Sequence, residues 1–279
     1  MSETAVVTDS TAYLPDELVA ENGIGLVRLQ VIVAGRSYEE GTEIRPAQVA
    51  EALKEWKVIT TSRPTPAEFL VAYTAAAEAG ATGVVSVHLS AHMSGTYESA
   101  LLAARESPIP VRVIDSGSVG MGLGFVALAA ARSARAGGEL AEVAAVAERV
   151  AAGASVLFYV DTLEFLRRGG RIGGAAAALG TALRVKPLLQ LVNGQVAPLE
   201  KARTASRALA RLQELVLEKA EGRQVDIAVQ HLASEERARS LAANLSDRLG
   251  AEIGVSEVGA VVGAHVGPGM VCVCVAPKP

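Results

Sequence analysis

SVHLSAHMSGTYESA, residues 86–100, is the stretch on which the reading of this chain turns. Val84, Val85 and Val87 form a short apolar run ending near His88, the pattern of a buried strand, and Ser94-Gly95-Thr96 then opens a helix that continues through Glu98 and Leu101. Strand, polar loop and helix N-terminus in succession suit an anion. The first helical amides lack internal partners and the helix dipole turns its positive end to the loop, where Ser94 and Thr96 add hydroxyls beside Gly95. A carboxylate or a phosphate fits there; capping of its own helix explains Ser94 equally well.

Working outward, strands alternate with helices. Ala5-Val6-Val7 reads as a strand running into Thr8-Asp9-Ser10-Thr11, a polar turn at the carboxyl end, where an open parallel sheet places its ligand crevice. Those side chains serve the loop amides equally well. A helix follows from Leu14-Pro15 to about Glu21, then a strand over 25–33, then a helix with Pro46 in its first turn and Val49, Leu53 and Trp56 along it. Residues 60–66 read as a hydroxyl-dense loop. Within it Thr65 and Glu68 have the spacing of a capping box with Pro66 at the first helical position, which leaves Thr61, Ser62 and Arg63 free for other work. Residues 111–114 form another strand, ending in Asp115-Ser116-Gly117-Ser118 before a long alanine-rich helix opened by Gly120, Gly122 and Gly124. The glycines lack the third position of a dinucleotide fingerprint, and close helix packing explains them equally well. This alternation predicts a mainly parallel α/β domain over residues 1–152.

Residues 153–279 read differently. After a strand over 156–159, Asp161 and Glu164 are expected to cap a short helix that stops at Gly169-Gly170, with Arg167, Arg168 and Arg171 around the turn. Arg171 is the candidate for an anion, against a solvated surface. Asn193-Gly194 between two apolar runs spells a β-hairpin. Strands over 225–229 and 252–258 flank a helix over 235–249, giving a mixed sheet. Residues 263–269 read as a glycine-rich loop holding His265, before a last strand over 271–276 that carries Cys272 and Cys274 on one face.

Composition narrows the function classes. Half of the 279 residues are apolar, enough for a sizeable core, and 26 basic against 30 acidic residues leave a formal charge of −4 with no basic stripe. Nucleic acid is not an expected partner. The opening MSETAVVTDS lacks a basic start followed by an apolar run, and residues 125–136 are interrupted by Arg132 and Arg135, so neither a signal peptide nor a transmembrane segment is read and a cytoplasmic protein is expected. Two cysteines and four scattered histidines form no metal-site spacing, and no Walker-type loop is present, so no metal and no cofactor are expected. Ser94, His265 and an aspartate such as Asp9 or Asp115 supply the residue types of a hydrolase triad, but no GxSxG elbow surrounds Ser94. Convergent hydroxyls, a histidine, arginines and a helix N-terminus in so apolar a chain better fit a binder of an anionic head group on an apolar tail.

TDSTAYLP, TSRPTPAEF, MSGTYESA, DSGSVGMGLGF, YVDTLEFLRRGGRIG, KPLLQLVNGQVAPLEKART and VVGAHVGPG occur in this order along nearly the whole chain. The set resembles the DegV family of bacterial fatty-acid-binding proteins. The resemblance implies an N-terminal mainly parallel α/β/α domain with a smaller C-terminal mixed-sheet α/β domain, and one buried long-chain fatty acid such as palmitate, stearate or oleate. Matched by motif, Thr61 or Ser62 in TSRPT and Ser94, with Gly95 and Thr96, in SGTY hold the carboxylate, and His265 in AHVGPG joins them directly or through water. Arg171 in GGRIG and Arg203 in EKART mark the head-group opening, where a kinase resembling dihydroxyacetone kinases docks and makes the acyl phosphate used in phospholipid synthesis. On this reading the chain is a carrier and not the catalyst; the alternatives are a serine hydrolase using Ser94 and His265, or a module that signals lipid occupancy to another protein. Departures from the family pattern fall at Arg63, where glutamine is common, at Ala91-His92-Met93, with His92 and Met93 expected to alter the pocket, and at residues 270–274.

Overall fold

The computed structural model describes residues 3–174 and 185–279; residues 1–2 of the opening stretch and 175–184 within the second domain lie outside it. Four parallel strands, β1 (Thr4–Asp9), β2 (Ile24–Val27), β6 (Gly83–His88) and β7 (Val111–Asp115), lie in the order β2-β1-β6-β7. Alternation along each strand sends neighbours to opposite faces. Val6 and Val85 pack on α5 (Met121–Arg135) and α6 (Leu140–Gly153), whereas Val7 and Val84 pack under Phe69 and Tyr73 of α3 (Pro66–Glu78) and Ala100 and Ala103 of α4 (Thr96–Ala104). The result is the expected helix-sheet-helix layering. Thr65 caps α3 with Glu68 reciprocating, as the spacing predicts.

The second sheet is mixed, with strand order β10-β9-β8-β13-β11-β12. The hairpin is β9 (Lys186–Val192) with β10 (Gln195–Ala202), and β11 (Val225–His231) runs parallel to β12 (Gly254–Glu257). The last strand, β13 (Val271–Pro277), is inserted antiparallel between β8 (Ser155–Tyr159) and β11. One face carries α8 (Ala205–Ala220) and α9 (Glu235–Leu249) over Val229, Val271 and Val273; the other, with Val156, Phe158, Cys272 and Cys274, turns toward Met121 at the start of α5.

Four expectations are corrected. The strand over 25–33 is two strands in different sheets: β2 ends at Val27, and β3 (Gln30–Val33) joins β4 (Arg36–Glu39) and β5 (Ile59–Ser62) in an antiparallel sheet ordered β4-β3-β5. The chain leaves the first ladder because the Leu29 amide donates to Ser10 Oγ. Consequently Thr61 and Ser62 sit on a strand and not in a loop. Residues 260–266 form a helix, α10 (Ala260–Val266), whose Ala260, Val261 and Ala264 bury against Leu29, Val49 and Phe165. His265 stands in its last turn, and only Gly267-Pro268-Gly269 remain as the loop. Finally, α7 (Glu164–Arg168) does end at Gly169, but Asp161 is not its cap. Its carboxylate accepts from the Tyr159 hydroxyl and from Lys186 Nζ, and Thr162 Oγ1 accepts the Glu164 amide instead.

Candidate functional site

A cavity of about 410 Å³ lies where the three sheets and α10 meet, within the usual ~300–1,000 Å³ of small-molecule sites. Its wall is mostly aliphatic and aromatic, with Leu89, Val156, Phe158, Val196, Val262 and Met270 among the lining side chains. Against that wall the structure gathers Thr61, Ser62, Arg63, Ser94, Gly95, Arg171 and His265. They arrive from separate parts of the chain: β5 delivers Thr61 and Ser62, the loop after β6 delivers Ser94 and Gly95, the turn after α7 delivers Arg171, and α10 delivers His265.

His265 Nε2 lies 2.9 Å from Thr61 Oγ1, while its Nδ1 is buried with no hydrogen-bond partner. Burial, then the charge of Arg171, pushes the imidazole pKa down to about 4, so the ring is neutral at physiological pH. A neutral ring has one donor and one acceptor nitrogen, and a stranded buried N–H costs more than a stranded lone pair. The proton therefore belongs on Nε2, which donates to Thr61 Oγ1 and leaves the threonine O–H to donate into the cavity. Gly169 makes this packing feasible: a Cβ there would stand 2.1 Å from His265 Nδ1.

The hydroxyls of Ser94 and Thr96 are 2.8 Å apart, and Ser94 Oγ also accepts the Thr96 amide, so Ser94 serves its helix start and the cavity together. Thr96 is fully buried behind it and does not line the cavity. Two guanidiniums flank the hydroxyls. Arg63 donates to the Gly95 carbonyl (3.2 Å), and Arg171 donates to the carbonyls of Met93 (3.0 Å) and Gly169 (2.6 Å). Arg203 is elsewhere: it is exposed, just past the end of β10, whose other end supplies Val196 to the wall. Strand geometry puts roughly 20 Å between the two. Met93 lines the cavity, whereas His92 is exposed and meets Gln195 outside it.

Among the described residues no carboxylate backs His265, so the Ser94/His265 pair lacks the orienting acid of a hydrolase triad. The Ser–His–Asp order does occur in another place. Asp9 Oδ2 meets His88 Nδ1 (3.1 Å), His88 Nε2 meets Ser86 Oγ (2.7 Å), and Ser86 Oγ meets the Tyr73 hydroxyl (2.9 Å). All four side chains are fully buried, sealed from any substrate. Asp9 also accepts the amides of Thr11 and Leu89, so this chain of bonds ties the end of β1 to the end of β6. Among the described residues no group of three or more His, Cys, Asp or Glu side chains is placed to hold a metal, and no helix is long and apolar enough to cross a membrane.

Sequence reasoning missed Gly169, Gln230 and Cys272 as parts of the site. The glycines of the RRGG turn were legible only as a helix stop. Gln230, fully buried on β11, lines the cavity while accepting the first amide of α5, Met121 N, at 2.8 Å; a polar residue next to the apolar run Ile227-Ala228-Val229 was its one signal.

The sequence pattern described as "Uncharacterised protein, DegV family" matches residues 3–278. The chain is 55% identical over 276 residues to a DegV domain-containing protein of Streptomyces coelicolor, covering 98% of each, and 42% identical over 277 residues to one of Deinococcus radiodurans, again covering 98% of each. Among solved structures, a fatty-acid-binding DegV family protein from Thermus thermophilus superposes with a TM-score of 0.91 at 36% identity, covering 99% of this chain and 100% of that one. DegV from Bacillus subtilis, described as a fatty acid binding protein, gives 0.91 at 34% identity over 100% of both chains.

Proposed function

This chain belongs to the DegV family, and on that premise we propose that it binds one long-chain fatty acid in the cavity, tail on the apolar wall and carboxylate on the hydroxyls. The observation that carries the reading is the convergence of Thr61, Ser62 and Ser94 with Arg63, Arg171 and a neutral His265 at one apolar cavity; the Thermus and Bacillus structures of the same fold are described as fatty-acid-binding. Burying about 14 methylenes at ~0.8 kcal/mol each gives about 11 kcal/mol as an upper bound, so the tail dominates affinity. The head group is then a matter of orientation and compensation. A carboxylate taken from water without donors costs several kcal/mol, which the Thr61 and Ser94 hydroxyls and the Arg171 guanidinium offset.

The carrier then presents the carboxylate, in the cytoplasm, to a separate kinase resembling dihydroxyacetone kinases, which makes the acyl phosphate for phospholipid synthesis. Arg203, exposed and away from the cavity, suits a contact with that partner and not with the acid itself. Native mass spectrometry followed by denaturation and organic extraction tests the binding: the expected result is one releasable fatty acid per chain. Ser94→Ala is expected to fold normally and to hold palmitate about tenfold more weakly. A bare native mass that added palmitate or oleate does not change would overturn the reading.

A further inference from the structure

The helix that carries His265 is held at its first turn by one buried carboxylate. Glu40, just past β4 and 2% exposed, accepts the Val261 amide at 2.7 Å through Oε1, and Val261 lies in the first turn of α10. The same Oε1 accepts from the Tyr13 hydroxyl (3.0 Å), and that hydroxyl in turn accepts the next amide, Val262 N, at 3.1 Å. Oε2 accepts from the Ser10 hydroxyl, whose oxygen takes the Leu29 amide where the chain leaves the first sheet for the small one. Every donor in the cluster thus points toward Glu40, through one intermediary at most, and every acceptor is used. Gly259, the residue before α10, keeps the approach open: a Cβ there would stand 2.2 Å from Tyr13 Cε1 and 2.5 Å from Glu40 Oε1.

Burial raises the Glu40 pKa and pushes that of Tyr13 well up, with the charge of Asp9 acting in the same sense on both. Keeping a carboxylate there is costly, and a purely structural helix start is satisfied by serine or by water. What Glu40 adds is a pair of fixed acceptor oxygens that tie the first turn of α10 to Ser10 and Tyr13 and so hold it against β3 and β5. Val261, Val262, His265 and Val266 of α10 line the cavity, and His265 reaches Thr61 of β5. We propose that Glu40, with Tyr13, is a positioning residue of the head-group site: through α10 it sets the His265–Thr61 hydrogen bond that aims the threonine hydroxyl at the ligand carboxylate. This rests on the fatty-acid reading of the cavity.

The test uses the full chain with nitrogen-15 histidine, comparing the parent with Glu40→Ala, Glu40→Gln and Tyr13→Phe. Two quantities are read: the nitrogen shifts that report the tautomer and hydrogen bonding of His265 without ligand, and the affinity for palmitate. In the parent His265 carries its proton on Nε2 in a hydrogen-bonded state. Glu40→Ala is expected to lose that signature and at least tenfold in palmitate affinity. Glu40→Gln, whose side-chain carbonyl still accepts from Val261 N, restores both to within about threefold, and Tyr13→Phe shifts His265 in the direction of Glu40→Ala by a smaller amount. The tyrosine variant keeps its ring, so it decides the matter if Glu40→Ala does not fold. Unchanged His265 shifts and affinity in the folded variants overturn the proposal, as does equal damage from Glu40→Ala and Glu40→Gln. A parent that binds no palmitate removes the fatty-acid reading, and the His265 shifts, which need no ligand, then judge the anchor alone.

Discussion

Gly169→Ala separates what the backbone alone suggests from what the packed site enforces. The residue ends α7 with φ −74° and ψ −8°, a conformation open to any L-residue. Judged locally, replacing glycine by alanine there stabilises by about 0.4–1 kcal/mol through the unfolded chain. The tertiary structure reverses the sign. The new methyl carbon would lie 2.1 Å from His265 Nδ1, 2.9 Å from Cε1 and 3.3 Å from Cγ, so the imidazole has to retreat by more than 1 Å to reach ordinary contact. Overpacking of this kind costs about 1–3 kcal/mol, and losing the bond to Thr61 adds about 1 kcal/mol. The net is a destabilisation of about 1–3 kcal/mol, read by urea unfolding, with palmitate affinity down about tenfold by fluorescence or calorimetry. Gly170→Ala is the control. Its φ is +69° and nothing lies within 4 Å of the added Cβ. It costs about 1–2 kcal/mol in backbone strain and leaves palmitate affinity unchanged. A Gly169→Ala protein as stable as the parent, with palmitate bound equally well, would falsify the placement of His265 against the turn.

Two other perturbations follow from the same geometry. Because His265 is held neutral, with a pKa about 4 against an ordinary 6.5, the unfolded chain takes up a proton between those values and the folded chain does not. Its contribution, up to ~3 kcal/mol, is full above about pH 6.5 and is lost as pH falls toward 4. Glu40 has the opposite sign, its raised pKa giving a contribution present below the ordinary carboxylate range and lost as pH rises. Urea titrations from about pH 4.5 to 7.5 should show a shallower slope in His265→Gln than in the parent; identical slopes exclude the linkage. Asp9→Ala strands His88 and the amides of Thr11 and Leu89 inside the core, and a loss of about 3–5 kcal/mol is expected in the same assay. A loss under about 1 kcal/mol would show that the buried Asp9–His88 chain contributes little.

The features legible in the sequence are those whose causes are local. A valine run ending at His88, a capping box at Thr65 and Glu68 and an Asn-Gly turn at Asn193 each obey rules that span a few residues, and β6, α3 and the β9–β10 hairpin follow them. So do the TSR, SGT and GGR segments that supply Thr61, Ser94 and Arg171 to one cavity. Features created by distant partners were not legible. A strand over 25–33 looks continuous until Ser10 takes the Leu29 amide and sends the next residues into another sheet. Residues 263–269 look like one glycine loop until Glu40, 221 residues from Val261, anchors the first turn of a helix that takes in 263–266 and whose Ala260, Val261 and Ala264 bury in the aliphatic core around Val49. Residue types alone place Ser94, His265 and an aspartate in one hypothetical triad. The fold instead spends Asp9 on His88, leaves Nδ1 of His265 without a partner, and sets its Nε2 against Thr61, 204 residues earlier. Local periodicity and turn chemistry act through neighbours in the chain, so the sequence alone determines the elements whose causes are local, such as β6, α3 and the β9–β10 hairpin. Which side chains meet, and with what charge, is decided by sheet order and burial, down to the last strand lying in the middle of its sheet.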